Sequence, residues 1–439
     1  MDRQRSEGNF RPGQWTRAAA VLIMGMLSFG CSGDGDEHRD PSPGSTPSTS
    51  ASNSTPPENP SAAPAPPAAP PPTNPIAPGA LRWSAALPGQ PNGVAGDPSG
   101  NVYVATTVYP PNGGDAVAQV WKFDSGGRKQ WSTEIGPGWW SARDQLGVTP
   151  AGEVALGVCS APFCYSADPT AVQAAVMRIT SAGKIAWTTR VSGRLGSLDV
   201  DARGRTLLTV SSGDLVSGLG YRVLLLGDAG EILLEQETDL AFARASLGSI
   251  DGDFAVAGKD PTGKLAFERR RSDGATAFRN ALDTPGGSID RLALAPDGTI
   301  AVGGWFEDHF TWGSAAYDVM YTGGFIALAT GSGSPDWSKH DSDLAAYNAV
   351  PPNVAFGARD SLVTFTMTYG KGMANLRSYG RDGTPEWRQE FRGVYGTTVL
   401  ATALAGNGDI VVVAHGTRDA PFQGLSYEGH TPYVAVLAP

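Results

Sequence analysis

The sequence has few charged residues, few cysteines and no sustained helical pattern. Only 17% of its 439 residues are charged, and there are three cysteines. The net charge of −10, without any Lys/Arg-rich run to neutralise phosphates, argues against a nucleic-acid partner. No segment keeps a 3.6-residue apolar period between capping residues, so almost no helix is expected. Gly (57) and Pro (34) are abundant and unevenly spread, and they divide the chain into three regions.

Residues 1–31 have the features of an export signal. Four arginines precede an apolar stretch, Ala18–Phe29, that is too short to span a bilayer as a helix. The stretch ends at Gly30-Cys31, which resembles a bacterial lipobox, although Ser28 stands where that motif prefers Leu. The resemblance implies that Cys31 becomes an acylated N-terminus that anchors the protein to a membrane. The alternative is an ordinary secretory signal with an unrelated cysteine.

Residues 32–79 form a second region, rich in Pro, Ala, Ser and Thr and almost free of large apolar side chains. Such a segment cannot bury enough apolar surface to fold, so we expect a disordered tether with extended, proline-rich stretches. A Pro-rich ligand for a cytoplasmic adaptor would conflict with the export signal. Ser32 follows the cysteine where Asp is the inner-membrane signal, and by resemblance this favours the outer membrane, on its periplasmic or surface face.

The third region, residues 80–439, contains a repeat. A turn glycine is followed four residues later by a large apolar residue, and these landmarks recur every 44 to 59 residues, a period typical of propellers and solenoids. The six pairs are Gly127–Trp131, Gly183–Trp187, Gly230–Leu234, Gly274–Phe278, Gly333–Trp337 and Gly383–Trp387. Between the landmarks, apolar-rich runs flank Gly/Pro/Asn/Asp turns, which is the chemistry of β-hairpins.

One complete unit runs from Gly287 to Trp337 and predicts four antiparallel strands, which we label A to D in chain order. The last unit ends near Leu437 without a D strand, whereas the region begins with an unassigned strand, Ala80–Trp83. Pairing that strand with the last three closes a ring and leaves no terminal sheet edge. The sequence therefore predicts an all-β, seven-bladed β-propeller of four-stranded antiparallel blades, closed by its N-terminal strand.

Two units resemble the SBBP-type β-propeller repeat. The resemblance is carried by Ile300–Gly304, Tyr321–Leu328 and Trp337–Lys339, and by Phe422–Gly424 with Pro432–Ala435. The family is common among exported and lipid-anchored bacterial proteins, and it implies a fold with little settled function. The Gly-x-x-x-Trp ending is also similar to the quinoprotein (PQQ-type) repeat. That family would imply adjacent cysteines beneath a quinone, which this chain lacks, so no cofactor is expected.

The predicted connections differ between the two faces of the ring. The A–B and C–D turns are short, and we call their side the turn face; the B–C and D–A connections form the loop face. The B–C connections are long and dissimilar, at 107–118, 159–172, 211–221, 306–323 and 415–432. Because loops on a rigid scaffold often carry function, we expect a protein or carbohydrate ligand there, unless the loops vary because nothing constrains them.

Aromatic side chains mark two parts of the loop face as candidate contacts, since aromatic rings can stack on sugars or fill a partner's pocket. The alternative is that they pack over blade edges. The candidates are Trp305, Phe306, His309, Phe310, Trp312, Tyr317 and Tyr321 in the blade 5 connection, with Trp139 and Trp140 before blade 2.

Chemistry-bearing motifs are scarce. Cys159 and Cys164 are predicted to form a disulfide in an exported protein, and no CxxC or HxxH pair indicates a metal site. No nucleophile elbow, phosphate loop or dinucleotide loop is present, so no catalytic residue is assigned, although carboxylates paired at the ring axis stay possible. The favoured interpretation is a monomeric, membrane-anchored binding or scaffold module. The alternatives are a quinoprotein-like enzyme and an outer-membrane assembly factor.

Overall fold

The computed structural model describes residues 79–110, 114–160, 173–211, 220–248, 252–341, 349–356, 361–368, 373–392, 398–416 and 431–438. These residues form seven four-stranded antiparallel sheets, and the described part of the chain contains no helix. Accordingly, no helix among these residues has the length and hydrophobicity to cross a bilayer. Cys31 and residues 32–78 of the predicted tether (32–79) lie outside the described residues.

The strands follow one another blade by blade along the chain. Blade 1 contains β2 (Gln90–Gly96), β3 (Val102–Val108), β4 (Val117–Phe123) and β5 (Lys129–Pro137); blade 2 contains β6 (Trp140–Val148), β7 (Val154–Cys159), β8 (Gln173–Ile179) and β9 (Ile185–Ser192). Blade 3 contains β10 (Arg194–Val200), β11 (Thr206–Ser211), β12 (Tyr221–Leu226) and β13 (Ile232–Thr238); blade 4 contains β14 (Ala241–Leu247), β15 (Phe254–Lys259), β16 (Leu265–Arg270) and β17 (Thr276–Ala281). Blade 5 contains β18 (Gly286–Leu294), β19 (Ile300–Trp312), β20 (Ala315–Ala329) and β21 (Pro335–Asp341); blade 6 contains β22 (Ala349–Phe356), β23 (Leu362–Thr368), β24 (Met373–Tyr379) and β25 (Pro385–Arg392). Blade 7 contains β26 (Thr398–Leu404), β27 (Ile410–Gly416), β28 (Thr431–Leu437) and β1 (Leu81–Ala86).

The N-terminal strand closes the ring. Blade 7 has the strand order β1-β28-β27-β26, and Trp83 in β1 pairs with Val436 in β28. The predicted seven blades and the predicted closure are therefore confirmed. The residue before the predicted boundary also contacts the ring, since the Gly79 N–H donates to the Ala438 carbonyl at 2.9 Å. Gly79 and Trp83 thus form a seventh pair with the spacing of the six predicted from the sequence, and the fifth that ends in Trp.

The repeated glycine and tryptophan meet between neighbouring blades. The indole N–H of the tryptophan near the start of a D strand donates to a backbone carbonyl in the C–D turn of the next blade, at 2.7 to 3.0 Å. These pairs are Trp83–Ser125, Trp131–Ser181, Trp187–Asp228 and Trp337–Arg381. The ring also covers that turn's glycine, so closely that a Cβ on Gly127 would lie 2.7 Å from the Trp83 ring. The pattern therefore locks adjacent blades together.

We expect Gly127→Ala to destabilise the ring more than an alanine at an uncrowded turn glycine. Both Gly127 (φ +82°) and Gly263 (φ +86°) are left-handed, but a Cβ on Gly263 would meet nothing within 4 Å. Gly263→Ala should cost about 1–2 kcal/mol for backbone strain alone. Gly127→Ala should cost about 1–3 kcal/mol more, because its methyl displaces Trp83. If urea titrations show that Gly127→Ala and Gly263→Ala lose the same unfolding free energy, the contact between the Trp83 ring and Gly127 does not stabilise the ring of blades.

Blade 5 differs from the sequence prediction. The predicted loop at 306–323 is instead a continuation of β19 and β20, which turn at Gly313–Ser314 and which we call the blade 5 hairpin. His309 pairs with Asp318 across it. Its outer half lies against blade 4, where the Thr311 N–H donates to the Asp283 carbonyl at 2.9 Å. The loop assignment was wrong because strand pairing extends beyond the blade itself.

Candidate functional site

A cavity lies on the ring axis. The first strand of every blade lines it (β2, β6, β10, β14, β18, β22 and β26), and its volume is about 460 Å³. This volume falls within the usual range of small-molecule sites. The sequence predicted a ring but assigned no residue to its axis, so the side chains in this channel are a finding of the structure.

Bulges in the inner strands set the direction of the channel side chains. In β18, Ile289 pairs with Gly304 and Arg291 with Gly303, which leaves Asp290 as an extra residue. The irregularity in β6 is larger and extends from Ser141 to Leu146. Within it, Asp144 adopts φ 56°, a left-handed conformation that is costly for a residue other than glycine. Strain of this kind often accompanies a functional arrangement of side chains.

An ion pair crosses between blades that are not neighbours. Arg291 of blade 5 contacts Asp144 of blade 2 with an Nη2–Oδ2 distance of 2.7 Å, and both side chains are roughly a quarter exposed. A second Arg291 nitrogen, Nη1, donates to the Asp290 carbonyl at 3.1 Å. The strained Asp144 backbone therefore serves to present a carboxylate to the guanidinium of Arg291.

Asp199 joins blade 3 to blade 4. Its Oδ2 accepts hydrogen bonds from the Ser246 hydroxyl and the Leu247 N–H, both at 2.9 Å. Burial raises the pKa of the Asp199 carboxyl above its ordinary value, although these hydrogen bonds oppose the shift. Because both hydrogen bonds connect adjacent inner strands, Asp199 acts mainly in holding the channel wall together.

Asp290 and Arg244 retain unsatisfied atoms in the channel wall. The Asp290 Oδ1 accepts from the Ser288 hydroxyl at 3.3 Å, whereas Oδ2 is buried without a hydrogen-bond partner. Arg244 donates through Nη1 to the Gly196 carbonyl, but its buried Nε has no partner. Burial raises the pKa of Asp290, against the opposing effect of Arg244 and Arg291, and burial lowers the pKa of the Arg244 guanidinium.

The predicted aromatic contacts are mostly not presented to solvent. Phe306 and Phe310 are fully buried and Trp312 is 5% exposed, all within the apolar core between blades 4 and 5. Tyr317, Trp305, Trp139 and Trp140 are half-buried, and His309 is exposed. The side chain of Tyr321 lies outside the described residues.

Two exposed aromatic residues on the loop face were missed by sequence reasoning. Tyr109 follows β3 and is 45% exposed, with its ring 5.2 Å from that of Trp140 in an edge-to-face arrangement. Phe242 is 39% exposed at the bulge of β14, with φ 55°. The Tyr-Pro-Pro sequence after β3 could have indicated an exposed turn, whereas no local signal distinguishes Phe242.

The structure places one of the two candidate disulfide cysteines and shows how the residues that could bind a metal are arranged. Cys159 is buried and disulfide-bonded, while Cys164 lies outside the described residues, so their pairing stays a prediction. Among the described residues, no cluster of three or more His, Cys, Asp or Glu side chains is placed to hold a metal ion.

Comparisons with solved structures show a likeness of fold and nothing narrower. No protein-family model matches the chain, and no curated protein matches it. A chain in the crystal structure of the mitotic checkpoint complex is similar at 12% identity and TM-score 0.54, over 83% of this chain and 96% of that one. Hydrazine synthase of Kuenenia stuttgartiensis is similar at 13% identity and TM-score 0.51, over 74% and 92%. The β-propeller domain of the Trilobed protease from Pyrococcus furiosus has 8% identity and TM-score 0.48, over 76% and 92%. At these identities the likeness concerns the fold alone.

Proposed function

We propose that this protein is a lipid-anchored, extracytoplasmic propeller of SBBP type that binds a protein partner through its loop face. The observation that carries the proposal is the placement of exposed aromatic side chains on that face, beside connections of unequal length. Tyr109 follows β3 and Phe242 lies in β14 of the closed ring, and Trp140 lies beside Tyr109. Aromatic residues held on a rigid scaffold are typical anchors of binding surfaces.

A differential capture experiment tests the loop face. The full-length chain, tagged after Pro439, would be used as bait on detergent-solubilised cell envelope, beside the double variant Tyr109→Ala/Phe242→Gly. Glycine at 242 removes the ring and suits the left-handed backbone, so this change should not unfold the blade. The matched control is Ile232→Ser/Leu233→Ser, which removes two exposed apolar side chains from the outer strand of blade 3.

A protein captured by the wild type and the control, but at least tenfold less by the loop-face variant, is the expected result. Equal capture by all three would place the contact elsewhere and refute the proposed face. If the wild type and the control retain envelope carbohydrate in place of protein and the loop-face variant does not, the proposed class of partner is wrong but the proposed face is right. Retention of neither by any bait would refute a macromolecular partner.

The anchor is tested by Cys31→Ser. Its thiol is the only acylation site that the lipobox resemblance offers, and two or more acyl chains give stable membrane attachment. We expect the wild type in the membrane fraction and the Cys31→Ser variant in the soluble fraction after export. Gly30→Ala, which keeps a small residue before the cysteine, serves as the control and should stay with the membrane. Persistence of Cys31→Ser in washed membranes would exclude the lipid anchor.

A further inference from the structure

The wall of the axial channel has a polar side and an apolar side. The charged residues that line it come from blades 2 to 5, namely Asp144, Asp199, Arg244, Asp290 and Arg291. Blades 6, 7 and 1 contribute mainly apolar side chains, among them Val354, Ala403 and Val94. A cavity with this division suits a small molecule that has one charged edge and one apolar side.

Most of the charge on the polar side is already paired within the protein. Asp144 and Arg291 form their ion pair at 2.7 Å, and Asp199 accepts hydrogen bonds from blade 4. These three side chains therefore hold the wall in place and leave little capacity for a ligand.

Asp290 and Arg244 differ because each keeps a buried polar atom without a partner, Oδ2 and Nε respectively. They project from adjacent inner strands, β18 and β14, and their opposite charges attract each other. Even so, no ion pair joins the two side chains within the described part of the chain. Those two atoms are closed off from solvent, but both side chains line the channel and are partly exposed, so an occupant with a donor for Asp290 and an acceptor for Arg244 meets the accessible atoms of each group.

We propose that the axial channel binds a free α-amino acid with an apolar side chain. Its carboxylate accepts hydrogen bonds from Arg244, and its ammonium donates to Asp290. The side chain lies against the apolar wall formed by blades 6, 7 and 1. An α-amino acid has an ammonium and a carboxylate attached to the same carbon, which matches a carboxylate and a guanidinium on neighbouring strands. This site goes beyond the proposed function, since the loop face contacts a macromolecule and the channel a small molecule.

Calorimetric titration of the full-length chain in detergent tests the site, with L-leucine and L-phenylalanine as probes. Three compounds each lack one feature: 3-methylbutylamine has no carboxylate, 4-methylpentanoate has no ammonium, and glycine has no side chain. We expect saturable binding of at least one apolar amino acid and at least tenfold weaker binding of all three compounds. No saturable binding of either amino acid would mean that water alone bridges the two groups, and the proposal would be overturned.

Variants assign the binding to the two residues. Asp290→Asn and Arg244→Gln should each weaken amino-acid binding tenfold or more. Asp318→Asn, which removes an exposed charge on the blade 5 hairpin, should bind as the wild type does. Unchanged affinity in Asp290→Asn would refute the assigned contact, as would equal binding of the amine and the amino acid. If Arg244→Gln fails to fold, the ligand series on the wild type and Asp290→Asn still decides the question.

Discussion

Removal of residues 1–86 is expected to lower the melting temperature by about 10 °C or more, whereas removal of residues 1–78 leaves it unchanged. The longer deletion removes β1, so β28 loses its partner strand and the ring loses its closure. It also removes the Trp83 ring, which packs with Phe123 of blade 1 at a centroid distance of 5.8 Å. Trp83 is partly buried, so loss of its side chain alone should cost less than the roughly 3–5 kcal/mol of a fully buried tryptophan.

Trp83→Ala in the chain that begins at Gly79 separates the two contributions. This variant keeps β1 paired with β28 but loses the indole N–H bond to the Ser125 carbonyl at 3.0 Å. Its melting temperature should therefore lie between those of the two deletions. Thermal unfolding followed by circular dichroism gives all three values. A chain that lacks β1 and melts with the intact chain would show that the ring does not depend on this closure.

The closure could be predicted because the repeat is a property of the linear sequence. A unit without its last strand and a spare strand at the other end indicate a shared blade, and Trp83 pairs where that argument put it. Gly79 ends the proline-rich segment, so composition assigns it to the tether, and its place in the repeat follows only from its bond to Ala438 in the closed ring. The contact between ring and glycine is more general than the Gly-x-x-x-Trp pattern, because the Phe278 ring covers Gly333 as a tryptophan ring would.

The axial channel could not be predicted residue by residue. Asp144 and Arg291 are 147 positions apart, and only the closed ring brings them together. The bulges at Asp290 and before Arg244 depend on strand register, and a shift of one residue would turn each side chain to the opposite face of its sheet. One signal in the sequence points to these residues. Arg244 and Arg291 directly follow the bulge in their inner strands, and the equivalent position in blade 7 holds Ala401, which is small and apolar. Aligning the seven inner strands would have marked both arginines as unusual.

The blade 5 hairpin was also visible in the sequence. Phe306, Phe310 and Trp312 stand at even positions, which is the two-residue period of a strand with one apolar face. The long connection between two recognisable strands suggested a loop instead. In the structure this face packs into the space between blades 4 and 5, where Trp312 lies 5.5 Å from Phe267 and Phe310 stacks on Phe325 at 4.5 Å.

Phe310→Ala should therefore destabilise the protein by about 3–5 kcal/mol, the usual cost of emptying a buried phenylalanine site. His309→Ala is the matched control, because His309 is adjacent, exposed and in the same strand. It should change the free energy of unfolding by no more than about 0.5 kcal/mol. Chemical denaturation of both variants gives the comparison, and a Phe310→Ala variant as stable as His309→Ala would show that the apolar face of the hairpin is not packed into a core.

This prediction also governs how binding experiments on the hairpin must be interpreted. Shortening residues 306–323 would remove Phe310 and Trp312 from the core between two blades, so a loss of partner capture would follow from unfolding alone. Substitutions at Tyr109 and Phe242 avoid this difficulty, because both rings are partly exposed and neither belongs to that core. A contact on the loop face is thus best sought on blades 1 to 4, where side chains can be removed while the ring stays closed.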